Sequence, residues 1–539
     1  FESNGVFALV TLFGIMDSSV LNGCYRLRQY MVFSAITVRF WFLPLVLAVY
    51  YVGTLPWWRR GGAMGACAGA GGWELSSAAG TWIGNFALLA ASLLFYFWGE
   101  QKRIYILVAA IALNYAAGWL LGEQRPDDGP LRRRRRLLIL WAAVAANLGL
   151  LIYFKYMNFL VGALADCGVH LDVAPVVLPL GISFFIFQAM SYTIDVYRGS
   201  VPPARGIVAF ACYITMFPQL VAGPIVRYCD VASQLQRRTV GLDKMAAGIR
   251  RFIIGLAKKV LVANQVALLA DKAFALNSAD VTFGAAWLGT IAYTLQIYFD
   301  FSGYSDMAIG LGKMFGFEFL ENFNYPYVAR SVQEFWRRWH ISLSTWFRDY
   351  LYIPLGGNRG SKFQTYFNLW VVFALCGFWH GASVNFLLWG MYHGLFLVGE
   401  RMFRGRVAAP RWLGHGYALL VVMFGWVLFR ADTWSQTLAF WKAMLGGGPS
   451  LAAGSEIRFW FGRDVQMAMV AGILFSLPVL STVRRWLQSA GWGRSAESEN
   501  RIGETLYLAL RFAAIFALFL ACVPLLVAET YNPFIYFRF

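Results

Sequence analysis

The chain carries five histidines, His170, His340, His380, His393 and His415, and two of them stand where an imidazole can do chemistry. His380 lies in LCGFWHGASVNFLLWGMYHG, with apolar and small residues on both sides. A neutral imidazole there can accept a proton from a hydroxyl, the general-base task in acyl transfer. The competing reading is a core histidine tied by its ring nitrogens to a neighbouring helix. His340 lies in SVQEFWRRWHISLSTWFRDYLYIPLGGNRG, residues 331–360, among Trp336, Trp339 and Trp346 and the arginines Arg337, Arg338, Arg348 and Arg359. This mixture fits an amphipathic interfacial segment or the wall of a polar cavity. The arginines can bind phosphate or carboxylate bidentately, and simple membrane anchoring is their competing use. His393 follows His380 by 13 residues, which on a continuous helix turns it about 220° away, so it reads as packing. His170 and His415 fall in or near loops.

Two further stretches bury polar groups. QIYFDFSGYSDMAIG places Gln296, Asp300, Ser302, Tyr304, Ser305 and Asp306 inside a long apolar run, where they must face protein or water because lipid penalises them. FPQLVAGPIVRY, residues 217–228, adds Pro218 and Pro224 to Gln219, Gly223 and Arg227, as a broken or re-entrant element would. No GxSxG, Walker, HExxH or paired metal-ligand histidine pattern is present. Seven cysteines show neither a CxxC pair nor zinc spacing and read as free thiols. An enzyme built from these residues is a metal-free one that works through histidine.

The elements that hold these residues follow from composition. Of 539 residues, 59% are hydrophobic and 14% charged, against about 25% charged in soluble domains. Three or four soluble domains could not be covered by so few polar side chains, so the apolar surface must face lipid. The net charge of +18 comes in short clusters between apolar runs, which excludes a nucleic-acid surface. Spans of about 20 apolar residues are expected at 34–52, 81–99, 104–121, 137–154, 176–196, 412–429, 465–482 and 505–527. Less regular apolar stretches at 207–226, 252–271, 284–316 and 366–398 are expected to be re-entrant, broken or buried. The predicted fold is therefore an all-α, polytopic integral membrane protein with about a dozen membrane helices. Arg132 to Arg136 and the Trp57, Trp58, Arg59, Arg60 cluster mark the cytoplasmic side, and the arginine run can also meet anionic lipid or a carrier. Met31 opens a stretch that reads as a natural start, so residues 1–30 are expected to be a dispensable or misassigned extension and 31–539 a single domain. No repeat of 20 to 50 residues is seen.

The same blocks resemble the membrane-bound O-acyltransferase family. PLGISFFIFQAMSYTIDVYRG, FPQLVAGPIVRY, YFDFSGYSDMAIGLGKMFGF, NFNYPYVARSVQEFWRRWHISLSTWFRDYLYIPLGGNRG and GFWHGASVNFLLWGMYHG stand in the family's usual order. FGWVLFRADT and the closing YNPFIYFRF extend the likeness over nearly all of residues 31–539. Within the family the chain looks most like the bacterial alginate O-acetylase branch. The resemblance implies tilted helices around a central funnel, with His380 at its narrow point and His340 as the second family histidine. It implies transfer of an acetyl group from a cytoplasmic donor, acetyl-CoA, toward an exported polysaccharide such as alginate, with periplasmic acetyltransferase proteins as partners. His380 would be the base, or would handle the acyl group in relay. Asp300 and Gln296 could line the polar route, and Arg337, Arg338 and Arg348 could meet the donor. The implied location is the inner membrane. D-alanyl or other acyl transfer to another envelope polymer, and a non-catalytic transporter, are the alternatives.

Overall fold

The computed structural model describes residues 38–60, 73–124, 128–221, 223–403, 410–449, 460–489 and 501–528. The expected extension at 1–30 and the closing block at 531–539 lie outside them. The helices that matter below are α1 (Leu43–Thr54), α2 (Ala78–Glu100), α3 (Ile104–Leu121), α4 (Pro130–Leu151), α5 (Met157–Asp166), α6 (Ile182–Arg198), α7 (Leu242–Ala257), α8 (Asn264–Phe274), α9 (Phe283–Met314), α10 (Val332–Arg338), α11 (Ile341–Phe347), α12 (Lys362–His380), α13 (Val384–Met402), α14 (Arg411–Arg430) and α15 (Arg501–Val527). Three very short strands, β1 (Arg59–Arg60), β2 (Trp73–Leu75) and β3 (Arg238–Val240), pair antiparallel in that order. No sequence pattern announces them.

Among the described residues, five stretches are long and apolar enough to cross a membrane: Ala78–Leu121, Pro130–Asp166, Leu242–Phe274, Arg411–Arg430 and Leu508–Val527. The first is two helices, because Gln101 adopts a left-handed φ of 49° between α2 and α3. One expected span and one stretch expected to be re-entrant, broken or buried are covered by protein. The helix expected over 176–196 begins only at Ile182, and 14 of its 17 residues are buried. The stretch at 284–316 is one unbroken 32-residue helix, α9, buried throughout from Ala292 to Gly312.

Glycine makes that central helix possible. α9 runs against α7 with Gly303 facing Gly255 and Gly310 facing Gly248. A Cβ on Gly255 would lie 2.5 Å from the Gly303 carbonyl oxygen, and one on Gly310 2.6 Å from that of Gly248. Small residues seven apart on each helix thus let two backbones touch, the usual device where no hydrophobic drive pulls helices together. The contact brings Lys259 to Asp300, Nζ to Oδ1 2.6 Å, with both side chains almost fully buried. Asp306 meets Arg251 at 2.6 Å and Lys258 at 2.7 Å.

The fourth irregular stretch, 366–398, folds as a helical hairpin. α12 ends at His380, Gly381 takes an extended conformation, and α13 starts after Ser383. Gly377 and Gly390 face each other at the crossing, so the two arms of the hairpin touch just below His380.

Candidate active site

His340 is set by its backbone and by one asparagine. It precedes α11 with φ 44° and ψ 54°, a left-handed conformation rare for a residue with a side chain. Asn322 holds it there: its carbonyl accepts from Ile341 N at 3.0 Å and its side-chain Oδ1 from Ser342 N at 3.2 Å. The Ser342 hydroxyl donates to the same Oδ1 at 2.9 Å, and Asn322 Nδ2 donates to Ser305 Oγ at 3.1 Å. Strain kept at such a position is commonly tied to function.

His380 is the last residue of α12, 4% exposed. Its ring is walled by Trp379, Trp389 and Phe429, with centroids at 5.0, 5.2 and 5.2 Å. The Trp379 indole reaches His340 as well, at 6.4 Å, so one ring touches both imidazoles. The line continues outward from His340 to Phe301 at 4.6 Å. In the other direction it runs from Trp389 to His393 at 5.1 Å and from His393 to Trp336 at 5.2 Å. His393 is therefore packed among rings, as expected, but it does not face away from His380. The 220° argument assumed a continuous helix, and the break at Gly381 folds α13 back against α12.

Buried polar atoms are normally hydrogen-bonded, yet along this line seven have no partner among the described residues. They are His340 Nε2, Trp379 Nε1, His380 Nδ1, Trp389 Nε1, Trp336 Nε1 and both nitrogens of His393. Three of these are indole N–H donors and four are imidazole nitrogens, so a polar molecule entering here would find both donors and acceptors. A cavity of about 40 Å³ opens beside His380, lined also by Lys155, Ser183, Trp379 and the start of α6.

The other expected site residues are placed as follows. Gln296 and Asp300 lie one turn apart on α9. Asp300 is engaged by Lys259, whereas Gln296 Oε1 has no partner among the described residues. Arg338 bonds Glu334 at 2.9 Å and the Asn324 carbonyl at 3.1 Å. Arg348 bonds Asp349 at 2.7 Å, and Asp349 also takes Arg227 at 2.8 Å. Arg337 is exposed. None of these three arginines lines the cavity beside His380. Sequence reasoning did not place Asn322, Ser342, Lys155 or Lys259 in the site. The two lysines carried a signal, a charge within an apolar run; Asn322 and Ser342 carried none.

The fold and this site define an integral membrane protein that keeps histidines and unpaired polar atoms inside a helical core. The membrane-bound O-acyltransferase family model matches residues 204–432. A probable alginate O-acetylase of Azotobacter vinelandii is 39% identical over 94% of this chain and 100% of its own length. A peptidoglycan O-acetyltransferase of Helicobacter pylori is 36% identical over 67% of this chain and 73% of its own. A teichoic acid D-alanyltransferase of Bacillus subtilis is 26% identical over 43% and 62% respectively. The chain belongs to the membrane-bound O-acyltransferase family and is an O-acyltransferase.

Proposed function

We propose that this enzyme moves an acetyl group from cytoplasmic acetyl-CoA toward hydroxyls of an exported polysaccharide, alginate, with His380 and His340 as its catalytic residues. The chain would sit in the inner membrane and pass the acetyl group to periplasmic acetyltransferase proteins. The observation that carries the reading is the run of unpartnered nitrogens on His340, Trp379 and His380. In the proposed step the accepting hydroxyl gives its proton to the His380 imidazole while its oxygen bonds to the thioester carbonyl carbon. The tetrahedral intermediate then collapses, the C–S bond breaks, and the imidazolium returns the proton to the leaving thiolate. His340 Nε2 offers a lone pair beside the His380 imidazole and accepts a hydrogen bond from a neighbouring hydroxyl of the sugar acceptor. The indole N–H of Trp379 supplies a donor for oxygen that gains charge, the kind of fixed dipole that lowers such barriers. Asp300 and Gln296 border the polar route, and Arg337, Arg338 and Arg348 meet the phosphates of the donor.

The choice of acceptor rests on relatives named for alginate O-acetylation that match over 94% of this chain and 100% of their own length. Mass spectrometry of the exported polymer tests the whole reading. Cells with the intact chain should yield acetylated polysaccharide, and cells with His380→Ala should yield the same polymer without acetyl groups while the chain remains in the membrane. Full acetylation in that variant would overturn it.

A further inference from the structure

α12 ends inside the protein, so the carbonyls of its last turn have no intrahelical donors and need partners from elsewhere. They find them on a single neighbouring segment. Between α4 and α5 the chain widens into a π-helical turn, Ile152–Tyr156, an irregularity that often marks functional sites. Two consecutive residues of this turn reach α12. The Tyr156 hydroxyl donates to the Phe378 carbonyl at 2.8 Å. Lys155 Nζ donates to the carbonyls of Trp379 and His380, the latter at 3.1 Å. Its third contact is Ser183 Oγ at 3.3 Å, at the start of α6.

An ammonium has three N–H donors, and Lys155 has three acceptors. No donor is left over for a substrate, although the side chain lines the same cavity as His380. The Trp379 ring lies 5.5 Å from Nζ, and Tyr156 stacks on Phe378 with centroids 4.3 Å apart. Three successive carbonyls at the end of α12 are thus held from one side, and the last belongs to His380.

We propose that Lys155 is a positioning residue for the transfer reaction. With Tyr156 it clamps the end of α12 and thereby fixes the His380 imidazole against Trp379. A cation at a helix C-terminus is also favoured by the helix dipole, so one group serves both needs. The inference rests on the proposed role of His380.

The test uses the full chain in membranes, with acetyl-CoA as donor and thiol release as the readout. Lys155→Met should lower kcat at least tenfold and leave KM for acetyl-CoA within about twofold, because positioning acts on the reacting step. Lys155→Arg, which keeps the charge and the donors, should recover most of that loss. Tyr156→Phe should give a smaller fall in kcat. If Lys155→Met does not accumulate in the membrane, Lys155→Gln replaces it with the same expectation. An unchanged kcat in an abundant Lys155→Met or Lys155→Gln variant would overturn the clamp while leaving His380 untouched. His380→Ala, run alongside, separates the two claims, since its full activity would overturn the catalytic reading on which the clamp depends.

Discussion

The Nδ1 of His340 donates a hydrogen bond to Oδ1 of Asn322, 3.1 Å away. The direction follows from the rest of the network. Asn322 Oδ1 already accepts from the Ser342 amide and hydroxyl, and that hydroxyl itself accepts from Ile225 N at 3.0 Å. An oxygen in that role leaves the imidazole as the donor, so the proton sits on Nδ1 and Nε2 carries a lone pair. A single asparagine therefore sets both the backbone conformation and the tautomer of His340.

Replacing Asn322 by Ala should leave the buried Nδ1–H and the Ser342 amide without an acceptor, at about 1–3 kcal/mol each. The expected outcome is a lower unfolding temperature in detergent and a loss of acetyl transfer larger than the loss of folded chain. Wild-type transfer by Asn322→Ala would sink the tautomer argument.

The two imidazoles touch one indole but differ in support. General-base catalysis contributes about 10²–10⁴-fold, so His380→Ala is expected to reduce transfer by that order at unchanged abundance. His340→Ala should also reduce transfer, and it should relieve the left-handed strain only if a glycine is tried instead. Comparing His340→Gly with His340→Ala by thermal unfolding checks this: the glycine variant should be the more stable of the two.

Lys259, in the π-helical turn Lys258–Ala263 that follows α7, and Asp300 on α9 form a sealed ion pair. Removing one partner strands a buried charge, at about 3–5 kcal/mol, whereas replacing both by apolar residues is often neutral. Lys259→Met should therefore unfold at a lower temperature, and Lys259→Met with Asp300→Leu should recover. If Asp300 borders the polar route, that stable double variant will still transfer acetyl groups poorly. Normal transfer by the double variant would assign the pair to structure alone.

Arg136 stands apart from the four arginines before it. It is buried, 4% exposed, and donates to the carbonyls of Val196 and Tyr197 at 3.2 and 2.9 Å, closing the end of α6. Arg136→Ala should cost about 1–3 kcal/mol for the stranded carbonyls, while Arg133→Ala, on an exposed residue, should stay within about 0.5 kcal/mol. Thermal unfolding of the two variants measures the difference directly.

Much of the site was legible before the fold was known. A histidine inside an apolar stretch is costly enough to single out His380, and the polar cluster from Gln296 to Asp306 announced itself in the same way. Reading 366–398 as irregular was also possible, because the GASV segment interrupts its apolar run. What could not be read was partnership. Asn322, Lys155 and Tyr156 lie 18, 225 and 222 residues from the groups they bond, and no local pattern reports a contact across that distance.

The sequence by itself determined the membrane setting, the family and the residues costly enough to need a reason for being where they are. These depend on composition, on order along the chain and on the price of polarity in lipid. Only the tertiary structure decided that α6 and α9 are sheathed by protein, that His393 folds back into the same line of rings as His380, and that Arg136 closes a helix end as well as standing in a basic cluster. The reason is physical. Hydropathy measures how much a segment dislikes water, and it is equally satisfied by lipid or by another helix; close packing at Gly255 and Gly303 chooses between them.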